Sequence, residues 1–427
     1  MLTAARLGAA ALTAALLTGT AAAPALADTP GTGTASAAAV PDGLYGKGDP
    51  TYDGVWRQSL ALTALTTAKV TPADSAVAWL TGQQCADGGW PSYRADASAA
   101  CDTATQDSNA TAVAVQALVA LGGHQDAVDK GVQWFRANQN ADGSWAYNPG
   151  NPGDANSTGL AVNALIAAGT DPATVAKAGR NAFDGLASFQ LGCAAPAEQR
   201  GGFVYQTSPD GTPADANGLA GGQASLAAAG GRLPVANTNR TDAAPKALAC
   251  PEGGAGATAV PRADSGEAVG AYLTARLAAG GRHLTLTLPG AAPAPDYAAT
   301  AWAALGLVQG GHPQQAAGAV DWLAEEGGTW TKGGTDAAAT ATLLLVAQAA
   351  QRDPAAFGGT DLVKQLTALG PAPKATGGAS APASASAPAK KDDGGSLNKY
   401  WPLGIGLLIG VGGGLLLSLQ RKRGAKL

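Results

Sequence analysis

The chain has 427 residues, a formal net charge of −4 and only 14% charged residues. This leaves no basic surface for a nucleic acid, and we expect no nucleic-acid partner. Hydrophobic residues make up 46% of the chain, aromatic residues only 5%, and there are 60 glycines. Such a chain can bury a core through close helix-to-helix approach, and its composition is neither that of a disordered chain nor that of a uniformly membrane-embedded one.

The first 27 residues have the pattern of a secretory signal peptide. Arg6 precedes an apolar stretch over residues 7–17, and Ala25-Leu26-Ala27 matches a cleavage site. We therefore predict export, with cleavage after Ala27. Residues 28–48 form a low-complexity lead-in, and residues 49–370 are predicted to form the folded body.

The body repeats one helical hairpin. Nearly all-apolar helices, each opened by an aspartate suited to an N-cap, alternate with amphipathic ones. Helices that are apolar all round belong inside, so the pattern predicts an all-α fold, an α/α toroid of about six hairpins; an open superhelix is the alternative. The apolar helices are predicted to open at Asp53, Asp107, Asp154, Asp215, Asp296 and Asp336, and the amphipathic segments to cover residues 73–84, 126–139, 172–190, 265–279, 314–326 and 360–369.

The joints between helices share the spacing Gln-x-x-x-Gly-x-Trp. Full copies are Gln84, Gly88 and Trp90, then Gln139, Gly143 and Trp145; degenerate copies are Gln190 with Gly201-Gly202-Phe203, and residues 325–330 ending at Trp330. This spacing resembles the QW repeat of the squalene cyclase and prenyltransferase superfamily, over about residues 50–350. The resemblance implies an α/α toroid with a central cavity, in which the QW glutamine caps a neighbouring helix, the tryptophan stacks on it, and both are structural.

The helix starts of a toroid converge at one mouth, which makes their polar residues candidate ligand contacts. The aspartates are first of all N-caps. The asparagines two places on could hydrogen-bond a polar ligand, and the aromatic residue after Asp296 joins them. The candidate ligand-binding residues are Asp107, Asn109, Asp154, Asn156, Asp215, Asn217 and Tyr297.

The motifs that would carry catalysis are missing from the body. The cyclases use a DxDD acid, diphosphate-ionising enzymes use DDxxD-like carboxylates, and the zinc prenyltransferases use Asp, Cys and His ligands; none of these patterns occurs. His124 and His312 are predicted to lie on surface turns, and His283 in a short strand over residues 282–289. We predict no catalytic residue, metal or cofactor, and leave open whether the protein is an enzyme.

Four cysteines in an exported chain indicate disulfides. Local pairing, Cys85 with Cys101 and Cys193 with Cys250, is one of three possible connectivities. Zinc ligation by the thiolates is the alternative, and export argues against it.

The C-terminal end has the pattern of a membrane anchor. Residues 371–397 form a Pro/Ala/Ser-rich stalk, and residues 398–427 hold an uncharged 19-residue stretch, 401–419, followed by Arg421-Lys422-Arg423. That length spans a bilayer once, and the basic cluster places the C-terminus in the cytoplasm and the body outside the cell.

These features favour a membrane-anchored, cell-surface binding protein that captures a small molecule in its central cavity. The secreted cobalamin carriers share this kind of toroid, so a corrinoid-like ligand is one candidate, and a membrane transporter is a candidate partner. The alternatives are a terpenoid cyclase-like or prenyltransferase-like enzyme, a polysaccharide-acting α/α-barrel enzyme, which would need two facing carboxylates, and a filled toroid that binds no ligand.

Overall fold

The computed structural model describes residues 40–208, 214–236, 239–241, 243–251, 259–287 and 290–375. The predicted signal peptide, residues 1–27, and the predicted anchor, residues 398–427, lie outside the described residues, as do most of the lead-in and stalk. Among the residues that are described, no helix combines the length and the hydropathy needed to cross a membrane.

The described residues form twelve α-helices, which alternate between an inner and an outer position. The inner helices are α1 (Gly54–Thr67), α3 (Ser108–Leu121), α5 (Ala155–Ala167), α7 (Gly218–Ala228), α9 (Tyr297–Gln309) and α11 (Ala337–Ala349). The outer helices are α2 (Asp74–Gly82), α4 (Gln125–Asn138), α6 (Ala182–Ala187), α8 (Arg262–Ala279), α10 (Pro313–Trp330) and α12 (Leu362–Thr367).

The inner helices form a closed ring. Each inner helix contacts the next in chain order, and α11 packs against α1. They are buried on every side because alanine, valine and leucine occupy all faces of each helix; in α11, for example, twelve of thirteen residues are buried. The described fold is therefore helical and consistent with the predicted α/α toroid of six hairpins.

Hydrogen bonds from the glutamines of the QW-like joints connect one hairpin to the next. Gln84 Nε2 donates to the Gly88 carbonyl and to the Ala127 carbonyl of α4, at 3.0 and 2.9 Å. Gln139 Nε2 donates to the carbonyls of Gly143 and Val175 in the same way. The predicted degenerate copy repeats this, because Gln190 Nε2 donates to the Gly201 and Ser265 carbonyls.

Each joint needs its glycine and its aromatic residue. Gly88 has φ +103°, and a Cβ there would lie 2.2 Å from the Lys130 carbonyl oxygen of α4, so only glycine allows this approach. Trp90 and Trp145 are fully buried, and their Nε1 groups donate to the carbonyls of Leu80 and Phe135 at 2.9 Å. The aromatic rings thus bind the joint to its own outer helix.

Three sequence predictions about these elements are wrong. Residues 325–330 are not a joint but the last turns of α10. The segment 172–190 holds only the short helix α6, preceded by a two-stranded ribbon of β1 (Ala176–Lys177) and β2 (Arg180–Asn181). Asp215 does not open α7; the N-cap is Asn217, whose side chain accepts from the Ala220 amide.

A second two-stranded ribbon lies before α9, formed by β3 (Leu284–Leu286) and β4 (Ala294–Asp296), which pair antiparallel. The strand predicted around His283 is therefore present. Both local disulfides are present as well, Cys85–Cys101 and Cys193–Cys250, and the structure has no free cysteine in its described part.

The segment between α7 and α8 crosses one end of the ring. We call the described residues between Gly231 and Lys246 the strap. The Leu233 amide donates to Gln116 Oε1 of α3 at 2.8 Å, and Asn163 Nδ2 of α5 donates to the Gly231 carbonyl at 2.7 Å. Because these partners lie near the C-terminal ends of the inner helices, the strap covers that end and leaves the N-terminal end as the mouth.

Candidate functional site: the mouth of the helical ring

The mouth is shallow because side chains occupy the centre of the ring within about one helical turn of the helix starts. Asn109, Asn156, Leu219 and Ala298, each the second residue of its inner helix, are half-buried. Four residues further on, on the same helix face, the side chains are closed off from solvent. Those residues are Val113 (1% exposed), Leu160 (0%), Gln223 (6%) and Trp302 (3%).

Two tryptophans form part of the floor of the mouth. Trp56 of α1 and Trp302 of α9 lie with ring centroids 6.3 Å apart, although their helices are not neighbours in the ring. Two cavities among the described residues, of about 160 and 390 Å³, lie outside the ring. The central cavity that the family resemblance implies is therefore reduced, in the described residues, to the mouth.

Asp107 caps α3 with one carboxylate oxygen and faces the mouth with the other. Its Oδ1 accepts from the Asn109 and Ala110 amides at 2.7 and 3.0 Å. Its Oδ2 accepts from Ser92 Oγ at 3.0 Å, and the Tyr147 hydroxyl adds a further hydrogen bond. Burial raises the pKa of Asp107, and these hydrogen bonds oppose the rise.

Asp154 also caps its helix, α5, but both of its carboxylate oxygens bind the same residue. Its Oδ1 accepts from the Ser157 amide at 2.7 Å and its Oδ2 from the Ser157 hydroxyl at 2.9 Å. Burial raises the pKa of Asp154 to about 7, the nearby charge of Asp107 adds to the rise, and hydrogen bonds to Ser157 oppose it. The carboxyl group can therefore carry a proton close to neutral pH.

Two tyrosines lie near these carboxylates. Burial and the charge of Asp107 raise the pKa of Tyr147, and burial and the charge of Asp154 raise the pKa of Tyr205. Their backbone carbonyls accept from the first amides of α3 and α5, Ser108 and Ala155, at 2.9 Å. Both tyrosines therefore stay protonated and are fixed at the rim of the mouth.

Two acceptors at the mouth have no partner among the described residues. The Oδ1 atoms of Asn109 and Asn156 are both buried and make no hydrogen bond. A buried amide oxygen without a partner costs free energy, about 1–3 kcal/mol in typical cases, so these two atoms fit a group that donates hydrogen bonds.

At the α11–α1 side of the mouth the carboxylates are already paired with cations. Asp53, the N-cap of α1, binds the buried Arg57 instead of capping the backbone. Asp336 caps α11 and pairs with Lys332 at 3.1 Å. The acceptor excess therefore lies on the α3–α5 side.

The remaining predicted ligand residues are placed less favourably. Asp215 is exposed and accepts from Gln199 Nε2 at 2.7 Å, while Asn217 is used as a helix cap. Tyr297 stacks on Trp322 and Trp330, with centroids 4.7 and 6.1 Å away. The structure thus brings together Asp107, Asn109, Asp154 and Asn156, and leaves the other three outside this group.

Sequence reasoning missed Ser92, Tyr147 and Tyr205. A signal was available, since each stands two residues after the aromatic residue of a joint, Trp90, Trp145 or Phe203. It also missed the burial of His312, which was expected on the surface and is 4% exposed because the strap covers it. In the described part of the chain, no group of three or more His, Cys, Asp or Glu residues is arranged to hold a metal.

One comparison with known protein families agrees with the joints. The family model "Squalene-hopene cyclase C-terminal domain" matches residues 41–154, which include both full QW-like copies. A crystal structure of a protein from Actinoplanes is similar at 15% identity and a TM-score of 0.44, over 73% of this chain and 95% of that one. No curated protein matches the chain. The family match confirms that this chain is similar to the squalene cyclase superfamily of α/α toroids.

Proposed function

We propose that the ring is a binding module that captures a small molecule at its mouth, through a positively charged, donor-bearing group of the ligand. The observation that carries this is the pair of buried, unpartnered oxygens of Asn109 and Asn156. They lie at the starts of adjacent inner helices whose caps, Asp107 and Asp154, are carboxylates. An amide oxygen can only accept a hydrogen bond, so a ligand group that binds these two oxygens must donate.

The aromatic floor supports a cationic ligand. Trp56 is half-buried at the mouth, and an indole face attracts an organic cation within about 6 Å of its ring. Because side chains fill the centre of the ring, a ligand of any size, a corrinoid included, would bind at the mouth and not inside the ring.

Display at the cell surface is part of the proposal. The Lys374 amide donates to the Thr71 carbonyl at 2.9 Å, and Lys374 Nζ pairs with Asp74 at 2.6 Å. Thr71 follows the C-terminal end of α1, so the chain leaves the ring on the strap side. Deleting residues 398–427 should then release the body into the medium, and a truncated protein that still fractionates with membranes contradicts the anchor.

Calorimetric titration with butylammonium and its neutral counterpart 1-butanol tests the binding site. We expect butylammonium to bind and 1-butanol not to bind. Replacing both asparagines, Asn109→Leu with Asn156→Leu, should weaken butylammonium binding about fivefold or more, as expected for lost hydrogen bonds to a charged donor. Asn138→Leu removes an amide from the outer helix α4 and serves as the control. Equal binding of the two probes, or no effect of the double substitution, contradicts the site.

A terpenoid cyclase-like enzyme is the second candidate. The family match over residues 41–154 favours it, together with the pKa of Asp154 near 7, since a cyclase acid must hold a proton. Incubation with squalene followed by product analysis distinguishes the two. An Asp154→Asn variant that keeps the melting temperature but loses a cyclised product would establish the enzyme.

A further inference from the structure

The strap is fastened to the ring by several contacts at separate points. Besides the bonds to Gln116 and Asn163, Arg240 Nη2 donates to the Ala349 carbonyl of α11 at 3.0 Å. The Thr241 amide donates to the Gly311 carbonyl, just before α10, at 2.8 Å. Leu233 is 1% exposed. The described parts of the strap therefore bridge several helices around the C-terminal end of the ring.

His312 stands where the second half of the strap meets the ring. Its Nδ1 lies 3.0 Å from the Ala243 carbonyl of the strap, and its Nε2 lies 3.0 Å from Glu267 Oε1 of α8. A carbonyl and a carboxylate can only accept hydrogen bonds. Both ring nitrogens must therefore donate, and the two bonds exist together only when the imidazole is protonated.

Glu267 also binds the strap directly. Its Oε2 accepts from the Lys246 amide at 2.6 Å. Burial acts to raise the pKa of Glu267, but the Lys246 amide, the hydrogen bond and charge of His312, and the charge of Lys246 together lower it. The carboxylate thus stays ionised and joins the strap, α8 and His312 in one small network.

One feature of the fold opposes the charge on His312. The residue is the N-cap of α10, and the positive end of a helix dipole disfavours a cation there. The negative charge of Glu267 compensates, and histidine is the side chain whose charge ordinarily changes between pH 5 and 8. The charge that the two hydrogen bonds require therefore lies between an unfavourable helix dipole and a favourable carboxylate.

We propose that His312 is a pH-dependent clamp: protonated, it holds residues 243–246 of the strap against α8 and α10 through both ring nitrogens, and neutral, it keeps only one of these two hydrogen bonds. Acidification tightens residues 243–246 against the outer helices, and a rise in pH loosens them. The inference does not depend on the ligand site at the mouth.

Hydrogen exchange of the full-length protein at pH 5.5 and pH 8, corrected for the intrinsic exchange rates, tests the clamp. The protection of the Thr241 and Lys246 amides should fall about tenfold at the higher pH, the effect of losing one charge-assisted hydrogen bond. Amides inside α4 provide the reference. Unchanged protection of the strap amides across this range overturns the proposal.

Glu267→Gln provides the matched variant. The glutamine oxygen can still accept from the Lys246 amide, while its amide group donates to Nε2 of a neutral His312 that keeps its Nδ1 proton for Ala243. The clamp then needs no charge, so the strap should stay protected at both pH values. A Glu267→Gln strap that still loosens at pH 8 contradicts the assignment to His312. Arg282, paired with Glu325 at 2.7 Å on the surface, gives the control Glu325→Gln, which should leave the wild-type pH response unchanged.

Discussion

The two ends of the ring are built on different principles. At the mouth the same contacts recur from hairpin to hairpin: the carbonyls of Ser92, Tyr147 and Tyr205 accept from amides in the first turn of α1, α3 and α5 at 2.9 Å. At the other end a single insertion, the strap, makes contacts that occur once each. Because the contacts at the mouth repeat, the spacing of residues in the sequence predicts them. The contacts of the strap join residues that are far apart in the chain, so the spacing does not predict them.

The largest expected loss of stability comes from breaking a joint. Trp145→Ala should lower the free energy of unfolding by about 3–5 kcal/mol, because the ring is fully buried and its Nε1 loses the Phe135 carbonyl. Denaturant unfolding measures it. Trp330→Ala, at a half-buried position, should cost clearly less; similar losses would mean that the joints are not the structural basis of the mouth.

The next loss of stability is expected from removing the disulfide at the strap end of the ring. Cys193 and Cys250 enclose a loop with a sequence separation of 57 that holds α7 and the strap, while Cys85 and Cys101 enclose one of 16. Replacing the first pair by serine should cost about 4 kcal/mol and the second about 3, from loop entropy. Hydrogen exchange should show increased strap exchange only for the first pair. Equal local effects of the two pairs would contradict this difference.

A smaller loss of stability distinguishes aspartates that cap a helix from an aspartate that only matches the repeat pattern. Asp154→Ala should cost about 0.5–2 kcal/mol and Asp154→Asn less, since asparagine caps about as well as aspartate. Asp215→Ala should be close to neutral, because Asn217 caps α7. Thermal melts of the three variants test this, and a large loss at Asp215 would show that the repeat pattern was read correctly from the sequence.

The last prediction concerns the pH dependence of stability. Asp154 has its folded pKa raised to about 7 from the ordinary 3.8. Between these values the folded protein holds a proton that the unfolded chain has lost, so stability falls as the pH rises from about 4 to about 7. Asp154→Asn removes this titration and keeps the cap. Urea unfolding at pH 4.5 and 7 should show a smaller change for the variant; equal changes contradict the raised pKa.

Particular residues show where sequence reasoning reached its limit at the mouth. The caps at Asp107, Asp154, Asp296 and Asp336 follow from local chemistry, because a carboxylate beside the first free amides of a helix is favourable in any context. At α7 two good caps stand two residues apart, Asp215 and Asn217. The Asn217 amide donates a hydrogen bond to the Phe203 carbonyl of the preceding joint. This tertiary contact makes Asn217, and not Asp215, the N-cap.

By itself the sequence determined the alternating helices and the two full joints, because helix periodicity, caps and turn glycines act over a few residues. Only the tertiary structure decided which cysteines pair, that the ring axis is filled by side chains such as Trp56 and Trp302, that the two asparagine oxygens have no partner among the described residues, and that His312 is buried. Burial, pKa and unsatisfied hydrogen bonds depend on which distant groups come into contact, and the strap reaches its partners over as many as 117 residues of sequence.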